Sequence, residues 1–317
     1  MPGLYTSNTS AVFSPVSPQA KAISQLFLGT SIFLLVILAL VTFLVFYMII
    51  RFRDRPGAPE AKQIFGWNAL EIAWTLIPAA CLVVLFILMV ITIHHSDPYV
   101  PAGRKPNLLV VGHQWWWEAD YLKSGVVTAN EIHIPVGKPW LVELKSADVI
   151  HDFWVPELAR KSDVVPGHPN HIWLEASKPG RYLGACAEFC GTEHAWMRFI
   201  VVAQPQAEFD AWVKANLAIP PAPATRLAIE GAKLFQQRTC ANCHTIEGTA
   251  ANQMIGPDLT HVASRSILAA GAVENSPLNL AAWLHNPNQF KPGSHMPDLR
   301  LSHNDVKALT AYLETLK

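Results

Sequence analysis

Two long apolar runs near the N-terminus constrain this chain more than any other feature. Residues 26–50 and 72–93 contain no charged side chain. At 1.5 Å per residue, each can cross a hydrocarbon core about 30 Å thick as a helix. A signal peptide would carry an early basic region and a shorter apolar core. Here mostly polar residues come first, so both runs are predicted to stay as membrane spans. Arg51, Arg53, Arg55 and Lys62 crowd the connection between them, which predicts a cytoplasmic loop with both termini on the outer side.

The remainder of the 317 residues has room for two soluble domains. Past Ser96 the texture changes to Pro- and Gly-punctuated segments rich in Val, Ile and Trp, at 108–111, 131–135 and 140–144, which read as strands of an all-β domain. A short amphipathic stretch then leads into the proline-rich segment 219–225, whose composition suits a semi-rigid linker. Helical spacing takes over at residue 227, and the last helix sets Val306, Leu309, Tyr312, Leu313 and Leu316 on one face. The expected division is an external segment 1–25, spans 26–50 and 72–94 around a cytoplasmic loop 51–71, a β domain 95–204, a linker 205–226 and a helical domain 227–317. Lys and Arg balance Asp and Glu at 24 each, so no overall field favours nucleic acid.

Four of the five cysteines form two close pairs, each with a histidine just beyond it. Such spacing favours metal or cofactor chemistry over a disulfide framework; Cys81, inside an apolar run, reads as a small buried hydrophobe. In the first cluster, Cys186, Cys190, His194 and Met197 bring two thiols, an imidazole and a thioether into one short segment. Soft sulfur with imidazole suits copper, and two neighbouring thiolates can bridge a pair of ions. His151, after a strand-like run, is the best remote ligand; a Cys186–Cys190 disulfide is the alternative that spacing alone leaves open.

The second cluster, Cys240-Ala241-Asn242-Cys243-His244, has the spacing of covalent haem attachment, with His244 as the proximal iron ligand. A zinc knuckle or redox dithiol would leave that adjacent histidine unexplained. Met254 and Met296 compete for the sixth position. Met254 lies too close in sequence to His244 to cross the porphyrin, so Met296 is the expected ligand, with its neighbour His295 as a rival.

These segments, together with Gly112-His113-Gln114-Trp115-Trp116-Trp117-Glu118, resemble the copper-A subunit of the haem–copper oxidases, cytochrome c oxidase subunit II, from about residue 27 to 202. The segment Ile255-Gly256-Pro257 and the loop ahead of the last helix resemble class I cytochrome c. The resemblance implies a multidomain membrane protein: a two-helix transmembrane hairpin, an all-β cupredoxin-like sandwich or barrel, then an all-α cytochrome c domain. It implies Cys186 and Cys190 as bridging thiolates, His151 and Met197 on one copper, and His194 with the Glu188 carbonyl on the other. It further implies a Glu188 carboxylate reaching a shared magnesium, Trp115 as the electron-entry residue, and Glu71 at the mouth of a proton path. Asp148 and Asp163 also match acidic positions of that family, whereas Trp116 stands where it usually has Tyr or Phe.

The implied function is electron entry into a terminal oxidase of a bacterial inner membrane. Covalent haem c would be reduced by a c-type cytochrome or a cytochrome-containing respiratory complex. A dinuclear copper-A centre would relay electrons to subunit I, which reduces oxygen to water with coupled proton translocation. The rival readings are the copper-A subunit of a nitric oxide reductase and a copper-delivery or redox-sensing membrane protein. Three adjacent tryptophans cannot all face one side of a strand, so at least one is expected to be exposed. His133, like His113, fits no ligand spacing and is expected at a surface or interface.

Overall fold

The computed structural model describes residues 11–57, 59–60, 63 and 65–317, so Lys62 of the basic loop lies outside the described residues. Two helices, α1 (Pro18–Arg51) and α2 (Asn68–Ser96), are long and apolar enough to span a membrane. Both begin earlier than hydropathy suggested. Pro18 starts α1, and the Ser17 hydroxyl accepts the Ala20 N–H, so a proline at the first position and a side-chain cap set the boundary ahead of Lys21 and Gln25. Residues 1–10 of the expected external segment lie outside the described residues, and the part just ahead of α1 is tied to the β domain. Val16 donates to the Glu157 carbonyl and accepts from Ser177, while the Ser17 hydroxyl donates to the Leu158 carbonyl. Pro78 lies inside α2, and Glu71 sits in its first turn, where a carboxylate complements the helix dipole.

Ten strands form the β domain: β1 (Leu108–His113), β2 (Trp116–Tyr121), β3 (Val127–Ala129), β4 (Glu131–Pro135), β5 (Trp140–Ser146), β6 (His151–Trp154), β7 (Ser162–Val164), β8 (Asn170–Leu174), β9 (Gly180–Cys186) and β10 (Arg198–Gln204). One sheet runs β3-β2-β1-β5-β8 and the other β4-β10-β9-β6-β7. Alternating apolar residues meet between the sheets around Trp117, Phe153 and Phe199, whose rings pack 4.6–5.6 Å apart.

Part of the expected linker is helix α3 (Gln206–Asn216), with Phe209 and Trp212 packed into this core against Tyr121 and Trp140. Its amphipathic face is satisfied by the sandwich, so only the residues up to Thr225 connect the domains. His133, expected at a surface or interface, is buried between Glu131 and Gln204 with its ring stacked 4.2 Å from Trp212 of α3.

The C-terminal domain packs α4 (Arg226–Gln237), α5 (Pro277–His285) and α6 (His303–Leu313) around Phe235, Leu280, Leu284, Leu309 and Tyr312. Thr225 caps α4, and Ser302 with Asp305 closes a capping box on α6. The two helices cross closely at Gly231, where a Cβ would lie 2.0 Å from the Ala308 carbonyl oxygen.

Candidate metal centre

His151 opens β6, Cys186 ends β9 and Met197 immediately precedes β10. Because β9 pairs with both β6 and β10, the loop carrying Cys190 and His194 folds back over the start of β6. His151 is thereby brought beside a cluster remote from it in sequence. The Cys186 and Cys190 sulfurs lie 3.7 Å apart. His151 Nδ1 is 3.9 Å from the Cys186 Sγ, and the Glu188 carbonyl oxygen is 3.2 Å from it. On the other side, His194 Nδ1 and Met197 Sδ are 3.7 and 3.8 Å from the Cys190 Sγ. All six expected donors therefore converge, and the thiols, at 3.7 Å, are not joined as a disulfide. Two thiols flanked by imidazoles, a thioether and one carbonyl match the soft, thiolate-bridged chemistry of a copper pair.

The cluster is oriented from behind. His151 Nε2 faces the Asp148 carboxylate at 2.8 Å, which leaves Nδ1 directed at the sulfurs. Asp148 also accepts from the backbone N–H groups of Gln114 and Val149, both at 2.6 Å. Burial alone would raise the Asp148 carboxyl, but the hydrogen bonds from His151 and those two amides hold it below its ordinary value. At Gly112 a Cβ would lie 2.9 Å from the His151 ring, so glycine is the residue that lets β1 pass it. The hydrogen bond from Cys190 favours the Cys186 thiolate, and the same contact pushes the Cys190 thiol up.

In the C-terminal domain Cys240 and Cys243 lie in and at the end of a short turn, Thr239–Asn242, that leads directly to His244. His244 Nδ1 donates to the Pro257 carbonyl at 2.7 Å, fixing the tautomer that presents Nε2 to a metal. Gly256 packs on the same ring, where a Cβ would fall 2.6 Å from Cε1. Burial lowers the His244 pKa, keeping the imidazole neutral as a ligand. Met296 packs against the domain core, whereas Met254 is about half exposed, at 46%. Two thiols on a turn, a tautomer-fixed imidazole and a core-facing thioether suit a covalently held haem.

The expectation for the tryptophans is overturned: Trp115, Trp116 and Trp117 are 8%, 9% and 0% exposed. Trp117 lies in the sandwich core, while Trp116 clusters with Ala129 and Ala270 of the C-terminal domain and stacks 4.2 Å from His113. Trp115 is covered by His295, whose ring lies 4.5 Å away, and its indole N–H donates to the Cys190 carbonyl at 3.0 Å. The contact that covers it also holds the buried side chains of Lys291 and Glu193, which sequence reasoning did not single out. Glu188 is exposed, its carboxylate accepting a local bond from the Phe189 N–H, and Glu71 is exposed at the start of α2.

Comparison with known proteins agrees with this layout. Models of the transmembrane and periplasmic domains of cytochrome c oxidase subunit II match residues 8–93 and 123–204, and a cytochrome c model matches residues 228–317. Cytochrome c oxidase subunit 2 of Alkalihalophilus pseudofirmus is 39% identical over 310 residues, covering 96% of this chain and 90% of that one. The Bacillus subtilis protein of the same name is 35% identical over 292 residues, covering 86% and 82%. The solved periplasmic domain of subunit II of cytochrome oxidase of Bradyrhizobium japonicum is 30% identical over 36% of this chain and 96% of that one, with a TM-score of 0.35. These families imply copper-A in the β domain, haem in the helical domain and association with other haem–copper oxidase subunits. The chain belongs to the cytochrome c oxidase subunit 2 family, in a form that continues into a cytochrome c domain.

Proposed function

We propose that this subunit receives electrons on a haem held by Cys240, Cys243, His244 and Met296, and delivers them through a copper pair to the oxygen-reducing subunit I. The copper ligands in this reading are His151, Cys186, the Glu188 carbonyl, Cys190, His194 and Met197. When bound, the haem and the copper pair supply one-electron redox chemistry, and the protein's own groups supply position and shielding. Asp148 orients His151, the Pro257 carbonyl orients His244, and the sandwich core keeps water from the sulfurs.

The convergence of six sulfur, nitrogen and carbonyl donors around Cys186 and Cys190 carries this reading. These six donors would hold two copper ions between them, chemistry that suits carrying electrons and not binding oxygen. The exposed Glu188 carboxylate is the group that reaches a magnesium ion shared with subunit I, since magnesium takes oxygen ligands and keeps several waters. Glu71 stands at the entrance of a proton path into that subunit. The membrane is the bacterial inner membrane, with the basic loop inside and both redox domains outside; the donor is a c-type cytochrome or a cytochrome-containing complex.

Electron paramagnetic resonance with copper analysis on the detergent-purified chain tests the reading, comparing wild type with Cys190→Ser. The expected result is the many-line hyperfine pattern of one electron shared by two coppers, lost in the variant. A single-copper pattern in the loaded wild type would overturn it.

A further inference from the structure

The contact between the helical domain and the copper loop is built around charge that is out of water. Lys291 Nζ lies 2.9 Å from Glu193 Oε2, with side chains only 4% and 2% exposed. The same ammonium donates to the Trp115 carbonyl at 3.2 Å. Glu193 stands in the copper loop beside His194, and Lys291 stands in the loop that continues through Gly293 and His295 to Met296. Between them the backbone at Gly293 packs directly on the Thr192 side chain: a Cβ on Gly293 would lie 2.8 Å from Thr192 Cγ2. His295 then lays its ring on Trp115, whose indole N–H is bonded to the Cys190 carbonyl. A second contact between the domains lies elsewhere on their boundary, where Glu131 accepts from the Ser266 N–H at 3.0 Å and from its hydroxyl.

Neither charge tolerates burial alone. Desolvating a lone ammonium or carboxylate costs several kcal/mol, which only a close partner offsets. Both groups are wet when the loops part, so the pair forms on docking and accepts one register, the one that gives the ammonium both the carboxylate and the Trp115 carbonyl.

We propose that Lys291 and Glu193 form a buried latch that fixes the His295–Met296 loop on Trp115. Trp115 thereby becomes a fixed internal junction between the two redox domains, out of reach of any separate donor protein. Lys291 is a positioning residue: its ammonium bonds Glu193 and the Trp115 carbonyl and holds the loop against Trp115, while Met296 is held by the core of its own domain. The proposal rests on the haem and copper reading above for the purpose of the junction, though not for the existence of the latch.

The test is hydrogen exchange by mass spectrometry on the full, haem- and copper-loaded chain, following peptides that cover 112–118 and 288–297. Lys291→Met strands the Glu193 carboxylate, and exchange in both peptides is expected to quicken on the order of 100-fold. Lys291→Met with Glu193→Gln removes both charges and should recover most of the protection. Photoinduced haem-to-copper transfer should lose its fast, salt-insensitive phase in the single variant. The far-red Met–iron band and the copper hyperfine pattern should be unchanged.

Exchange within about twofold of wild type in Lys291→Met, or equal loss of protection in the double variant, would overturn the latch. So would loss of the copper pattern in Lys291→Met, which would make the lysine a support of the copper loop. Should that variant not accumulate, Glu193→Gln in the same assay decides, faster exchange supporting the latch and unchanged exchange refuting it. A wild-type chain protected at both peptides but lacking a copper pair would sink the functional reading and leave the latch standing.

Discussion

Replacing Asp148 with asparagine tests whether the copper site is held by its surroundings or by its ligands alone. The carboxylate accepts from His151 Nε2 at 2.8 Å and from two backbone amides at 2.6 Å. An asparagine keeps the shape but offers one acceptor oxygen where two are used, so an NH2 group must face either His151 or a backbone N–H. Hydrogen bonds to charged groups contribute about 1.5–3 kcal/mol each, and losing one leaves its donor unpaired. The part felt by the metal is the freed rotation of the His151 ring and its reduced basicity, for which a loss of about 10- to 100-fold in affinity is expected. That is about 1.4–2.8 kcal/mol. Competition between the loaded chain and a graded series of copper chelators measures it, with the hyperfine pattern as a check that the remaining pair is still shared. A chelator midpoint within twofold of wild type would show that His151 needs no support, and would refute the argument from its second nitrogen.

Three further outcomes follow from the same geometry. Gly256→Ala places a methyl 2.6 Å from the His244 ring and should destabilise the haem domain by about 1–3 kcal/mol in denaturant titrations while shifting the axial-ligand bands; unchanged spectra and midpoint would contradict it. Burial alone would raise the Glu131 carboxyl, but hydrogen bonds from His133 and Ser266 outweigh it and bring it from 4.5 to about 2. Its contribution is therefore full above pH ~4.5 and lost as the pH falls towards 2, so Glu131→Gln should cost about 2–3 kcal/mol at pH 7 and nothing near pH 2, as read from unfolding curves. Asp120 behaves oppositely: burial, then the neighbouring charge of Glu118, pushes it up to about 6, and its Oδ1 is buried without a hydrogen-bond partner among the described residues. Asp120→Asn should therefore stabilise by about 1–2 kcal/mol above pH ~6, after allowance for partial exposure, with the gain gone below pH ~4; a gain independent of pH would show that charge is not the cause.

Which of these features the sequence disclosed depends on how far apart the interacting residues lie. Cys186, Cys190, His194 and Met197 sit on one turn of chain, so their spacing alone suggests a metal, and Cys240 to His244 speak as directly for haem. The spans were legible because water and lipid select composition over long windows, though their ends were not: a serine cap and a proline, not hydropathy, start α1 at Pro18. Asp148 left a fainter trace as an acid three residues ahead of a ligand histidine. Lys291 left none. Nothing in Phe290-Lys291-Pro292-Gly293 distinguishes a buried lysine from a solvated one, because its partner lies in another domain.

The tryptophan run fails for the same reason. Alternation along a strand decides which side chains share a face, and exposure follows only if the outer face meets water. Here the sandwich meets a second domain: Ala270 covers Trp116 on β2, and His295 covers Trp115, which precedes the strand. Attaching a helical domain to the sandwich thus changes what an apolar surface residue on the sandwich means. An aromatic residue that would be an open docking patch on a lone β domain becomes the core of a contact between two domains of one chain. The observation that separates the two cases is the buried charge at its rim, since a patch that stayed open to successive partners would leave Lys291 and Glu193 in water.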